Sequence, residues 1–141
     1  PGGEHLGFRL EPRRFADAVA LLSWARHALG HAEDTIDPDF RFLPGWDGDG
    51  RGAAIRTAAQ GRLHRFWDIS VDGRIEVRGA RGEADRARHL ARLRVDLAGA
   101  SDPTVRTVFQ RLWAGPRPDF PTLLGWAERP AECEVPNRRS P

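Results

Sequence analysis

Two short runs of β-branched and aromatic residues, Trp67, Ile69 and Val71 on one side and Ile75 and Val77 on the other, flank the dipeptide Asp72-Gly73. Asp-Gly readily adopts the positive φ angles of a tight turn, so apolar alternation on both sides of it is the strongest short-range hairpin signal in the chain. The register can be read from the side chains. A two-residue loop sets Val71 opposite Arg74 and mixes apolar with charged residues on each face. A three-residue loop over 72–74 pairs Val71 with Ile75 and Ile69 with Val77, and places Asp68 across from Arg78 on the other face. The pattern therefore predicts a bulged hairpin, and with it an antiparallel sheet.

Other segments are read around that hairpin. Residues 5–10 alternate with Leu6, Phe8 and Leu10 on one side, which predicts a strand. Pro12 then opens a helical pattern in which Phe15, Ala18, Val19, Leu22, Ala25 and Leu29 form an apolar stripe facing the core, ending near Gly30. Phe40 and Phe42 suggest an edge strand, and Ala53, Ile55, Thr57 and Ala59 a further strand. A helix is expected from after Gly82 through Leu97, with Gly99 ending it. Ser101-Asp102-Pro103 supplies a cap and a first-turn proline for another helix reaching Trp113, and 122–127 suggests one helical turn. The fold class expected is α+β: a small antiparallel sheet of about three to five strands with one N-terminal and two C-terminal helices, in the order β-α-β-β-β-β-α-α. Residues 1–129 read as one domain and 130–141 as a flexible, proline-containing tail.

Composition narrows the partners. All 22 basic residues are Arg, and Lys, Met and Tyr are absent, the mark of a GC-rich bacterial source. Charge is segregated: residues 1–50 hold 5 Arg and 9 acids, and residues 51–94 hold 11 Arg and 5 acids. A basic middle can serve an anionic partner or a complementary acidic surface. The lone Cys133 excludes a disulfide framework and any multi-cysteine zinc site, which fits a cytoplasmic setting. No apolar run approaches the roughly 20 residues that span a bilayer, so no membrane partner is expected. The start Pro1-Gly2-Gly3 suggests a processed terminus or a fragment of a longer chain.

Few residues carry a pattern with chemistry in it. His27 and His31 are four apart at the end of the first predicted helix and so share a face, with Glu33, Asp34, Asp37 and Asp39 just beyond. Imidazole and carboxylate together suit Zn²⁺ or another divalent ion, which makes this pair the candidate metal site. His31-Ala32-Glu33 matches one half of the zinc deaminase signature but lacks its cysteine pair. Asp47-Gly48-Asp49-Gly50 lacks the glutamate that would close a calcium loop. His64 and His89 could form an acid–base pair oriented by Asp68 or Asp85. Residues 65–79 resemble the opening strands of WGR domains, which are nucleic-acid-associated modules, although the Trp-Gly-Arg triplet is missing and the likeness is that of a generic hairpin.

The reading that best fits these features is a recognition or accessory domain, more in keeping with binding than with catalysis, that engages a protein partner or its own copy. Trp46, in a glycine-rich loop, is its expected contact. The alternative is a nucleic-acid-binding module using the arginine-rich region 51–94, with Arg65, Arg78, Arg81, Arg88 and Arg92 converging on phosphates. A second alternative is a divalent-metal-dependent enzyme centred on His27 and His31. No cofactor other than that divalent metal is expected.

Overall fold

The computed structural model describes residues 15–43 and 53–130, with side chains in the second stretch from residue 59 onward. These residues form five α-helices and no strand: α1 Ala18–Ile36, α2 Ala53–Val77, α3 Arg86–Asp96, α4 Asp102–Ala114 and α5 Phe120–Glu128, with a 3₁₀ turn at Pro38–Phe40. The expected α+β sheet is thus overturned. Its first predicted strand, at 5–10, lies outside the described residues, as do the loop carrying Trp46 and the chain beyond 130.

Helix α2 replaces most of that sheet, running through the predicted strands and straight through Asp72-Gly73. From Phe66 to Ile75 only Asp68 and Arg74 are more than marginally accessible. The helix is central, packing against α1, α3, α4 and α5. A helix buried on every side has no polar stripe to reveal its period, and its β-branched residues then imitate a strand. Glycine within a helix costs about 1 kcal/mol relative to alanine. At Gly73 the cost is offset by close packing, because a Cβ there would collide with the backbone carbonyl of Trp113 on α4. The predicted strand at 53–59 likewise becomes the first turns of α2, in keeping with the helical preference of its alanines.

Helix α1 starts at Asp17, whose carboxylate accepts the backbone N–H groups of Val19 (2.9 Å) and Ala20 (3.0 Å). It does not stop at Gly30 but continues for more than a turn. Gly30 serves as a contact point with α2: an added Cβ would stand 2.6 Å from Val71 Cγ1. The face that α1 buries is also not the predicted one. Val19, Leu22, Leu29 and Ile36 are more than half exposed, whereas Ser23 and Asp34 are buried. Phe40, expected on an edge strand, sits in the 3₁₀ turn and stacks on Trp67 at 5.1 Å, with Phe120 of α5 at 6.0 Å from Phe40.

The C-terminal half resembles its sequence. Asp85, Ser101 and Asp119 cap α3, α4 and α5 through the N–H groups of Arg88, Thr104 and Thr122. Val105, Val108, Phe109, Leu112 and Trp113 point into the core. No helix among the described residues is long and apolar enough to cross a membrane.

Candidate metal centre

The close approach of α1 and α2 at Gly30 and Val71 sets two helical i,i+4 pairs against each other, His27 and His31 on α1 and Asp68 and Asp72 on α2. His31 Nε2 lies 3.1 Å from His27 Nε2 and 3.1 Å from Asp68 Oδ1, and His27 Nε2 lies 3.4 Å from the same oxygen. Three potential ligand atoms from two helices therefore form a small triangle. At metal–ligand bonds of about 2.05 Å, neighbouring ligands stand about 3.3 Å apart in a tetrahedron and about 2.9 Å apart in an octahedron. The triangle has the dimensions of one coordination face.

Behind it, Asp72 has no exposed side-chain surface and accepts four hydrogen bonds: from His27 Nδ1 (2.7 Å), His89 Nε2 (2.8 Å) and the backbone N–H groups of Glu83 (3.1 Å) and Ala84 (3.0 Å). A carboxylate accepts and cannot donate, so His27 keeps its proton on Nδ1 and turns Nε2 toward the triangle. This carboxylate–imidazole arrangement is the one that commonly orients metal-binding histidines. His89, on α3, is itself buried, packs against Trp113 at 5.6 Å, and has no hydrogen-bond partner for Nδ1 among the described residues. His31 is positioned differently, by an edge-on contact with the Trp67 ring at 4.5 Å.

The electrostatics of the triangle are those of crowded ligands. Burial pushes the His27 imidazole toward its neutral form. The hydrogen bonds and negative charges of Asp68 and Asp72 outweigh that effect and raise its pKa to about 10. Burial alone would raise both aspartates, but hydrogen bonds from His27 and His31 to Asp68, and from His27 and His89 to Asp72, hold each carboxyl well below the usual carboxylate range. At neutral pH His27 so shifted carries a second proton, on the Nε2 that faces Asp68.

The acidic residues that follow His31 in the sequence go elsewhere. Asp34 is fully buried and accepts from Trp67 Nε1 (2.7 Å), Arg74 Nη2 (2.7 Å) and Arg117 Nη1 (3.2 Å), while Arg117 also bonds Asp37. Glu33 meets Arg78 at 3.4 Å on the surface. His64 is exposed, Asp85 caps α3, and His89 is held by Asp72, so the expected His64–His89 pair does not form. The sequence puts His27 and His31 on one helix face, but its pattern assigns Asp68 to His64 or His89 and Asp72 to a turn. The signal available for them was the i,i+4 spacing of Asp68 and Asp72, which mirrors that of the histidines.

The arginines do not gather into one face. Arg65 turns to Asp96 at the end of α3 (3.0 Å), Arg78 turns to Glu33 of α1, and the two lie about 20 Å apart along α2 at 1.5 Å per residue. Arg81, Arg88 and Arg92 are exposed and make no ion pair among the described residues. Comparison of the chain with protein-family models, with curated proteins and with solved structures finds no match.

Proposed function

We propose that this chain carries a mononuclear divalent-metal centre, with His27 Nε2, His31 Nε2 and Asp68 Oδ1 as ligands and a metal-bound water as the reactive group. The observation that carries the reading is the convergence of those three atoms, at 3.1 to 3.4 Å, in front of a buried carboxylate that fixes the tautomer of one of them. Two imidazoles and one carboxylate favour Zn²⁺, Fe²⁺ or Co²⁺ over Mg²⁺ or Ca²⁺, which prefer all-oxygen ligands. Three protein ligands leave at least one position for water, as in hydrolytic rather than structural zinc sites. The side chains of His31 and Asp68 are 24% and 28% exposed, which gives solvent and substrate a route to that position. Water activation by a Lewis acid, and hence a hydrolytic reaction, is the chemistry such a centre supports. The scattered arginines give a phosphate-binding face less support, and Trp46 lies outside the described residues.

The test is calorimetric titration of metal-stripped protein with Zn²⁺ at neutral pH in buffers of different ionisation enthalpy, together with the visible spectrum of the Co²⁺ form. One ion should bind per chain, with release of about one proton as the metal displaces the second proton of His27. His31→Ala and Asp68→Ala should each lose the site. A chain that binds neither ion more tightly than these variants would sink the reading and leave the triangle as a proton-held ion pair.

A further inference from the structure

The outward face of α1 carries a pattern unrelated to the metal centre. Leu22, Leu29 and Ile36 recur at seven-residue intervals, and Val19, Arg26 and Glu33 at the same interval between them. Val19, Leu22, Leu29 and Ile36 are 62%, 51%, 60% and 66% exposed. This three-and-four spacing is the seam of a helix that packs along another helix. It extends about 26 Å from residue 19 to residue 36. Exposed apolar residues aligned along one face of a helix mark an interaction surface. It is also continuous with a groove of about 280 Å³, in which Arg26, Leu29 and Glu33 of α1 stand over Val71, Ile75 and Ala80.

The charges on the stripe select its occupant. Among the described residues Arg26 is half-buried and has no ion-pair partner, and Glu33 is exposed and pairs only with Arg78, itself exposed, at 3.4 Å. A second copy packed in parallel would set Arg26 beside Arg26 and Glu33 beside Glu33. Packed antiparallel about a two-fold axis beside Leu29 and Gly30, the same stripe sets Arg26 of each copy opposite Glu33 of the other, and brings Leu22 near Ile36 of the second copy. The two Leu29 side chains then meet at the axis, each next to the groove of the opposing chain. A two-fold contact requires such a self-complementary patch. We propose that the α1 stripe is the interface of an antiparallel homodimer, with Leu29 at its centre and two symmetry-related Arg26–Glu33 pairs flanking it.

Sedimentation velocity of the whole chain over about 1–100 μM, the range of ordinary dimer affinities, reads this directly. The expected result is a dimer that Leu29→Glu converts to monomer. Arg26→Glu should weaken association about tenfold, and adding Glu33→Arg should recover most of that loss, because the reversed pair regains its complement. The charge-reversal pair keeps the test independent of any folding defect in the leucine variant. A dimer indifferent to all three changes would place the interface elsewhere and overturn the proposal. A monomer at every concentration would also overturn it. A thermal melt of Leu29→Glu then identifies the occupant: a lowered Tm means that the chain's own residues cover the stripe, and an unchanged one leaves it for a different protein.

Discussion

Two buried carboxylates lie on neighbouring elements and differ in their donors. Asp34 receives an indole N–H and two guanidinium groups, which donate and have no lone pair to offer a metal. Asp72 receives two imidazoles and two backbone N–H groups, and one of those imidazoles continues to a second carboxylate and a second histidine. The first cluster is closed: its donors are an indole and two guanidinium groups, none of which can bind a metal or accept a proton. The second is open, because His27 passes the influence of Asp72 to a solvent-facing triangle. Burial of polar groups therefore does not by itself mark a functional site; what distinguishes this one is donors that can exchange a proton or bind a metal.

The comparison predicts its largest effect at the closed cluster. Asp34→Ala leaves Arg74 and Arg117 without their buried partner, and such a loss typically costs about 3–5 kcal/mol. For a chain of this size that corresponds to a fall in Tm of about 10 °C or more by calorimetry. Variant protein that still folds should bind Zn²⁺ with little change. A Tm drop under about 3 °C would mean that the two arginines find water instead, and that the cluster is not what ties α1 to α2.

Next in size is Gly30→Ala. The new methyl would meet Val71 Cγ1, and overpacking at a helix contact costs about 1–3 kcal/mol, part of which alanine's helical preference returns. Moving α1 away from α2 should leave the Asp34 cluster bonded through its long arginines but spread the short-armed triangle, so metal affinity should fall more than stability. Adding Val71→Ala should restore both in the same titration and melt. Failure of the second change to rescue the first would argue that Gly30 is needed for something other than close approach.

How far the sequence reveals these clusters depends on which helix is read. The i,i+4 spacing of His27 and His31 was legible because α1 has a polar edge. Which way that edge faces was not legible: an apolar stripe is normally buried, and here His27, His31 and Asp34 turn inward because α2 supplies matching polar groups, with Ser23 buried on the same side. Asp68 and Asp72 were hidden by a different effect. Burial around the whole circumference of α2 erased the helical period, and Asp72-Gly73 has the composition of a turn although Asp72 anchors the site and Gly73 packs against Trp113. Helices α3 and α4, each with one wet face and a serine or aspartate cap, follow the simple rules and were read correctly in kind and place.

A change confined to the open cluster should be milder for the fold. Asp72→Asn keeps the shape of the side chain and can still accept one of the Glu83 and Ala84 N–H groups, which meet different carboxylate oxygens, but it removes the charge that polarises His27. Loss of such an outer partner typically lowers metal affinity 10- to 100-fold. The Zn²⁺ titration should show that loss, with a smaller Tm change than Asp34→Ala produces. Equal effects on stability from the two variants would erase the distinction between closed and open clusters.

The last effect expected is on pH dependence, and it originates at the open cluster. His27 titrates at about 10 in the folded metal-free chain against about 6.5 when unfolded, so its contribution to stability is complete below about 6.5 and is lost as pH rises toward 10. Asp68 and Asp72 are shifted the other way, so their contribution is present above about 4 and disappears on acidification. Urea midpoints of the metal-free protein should therefore decline from pH 7 to 10, and His27→Gln should flatten that decline. Saturating Zn²⁺ should reverse the trend between pH 6 and 8, because the metal competes with a proton for His27 Nε2 and each proton removed favours the metal. A metal-free decline that survives His27→Gln would assign the titration to a group outside the triangle.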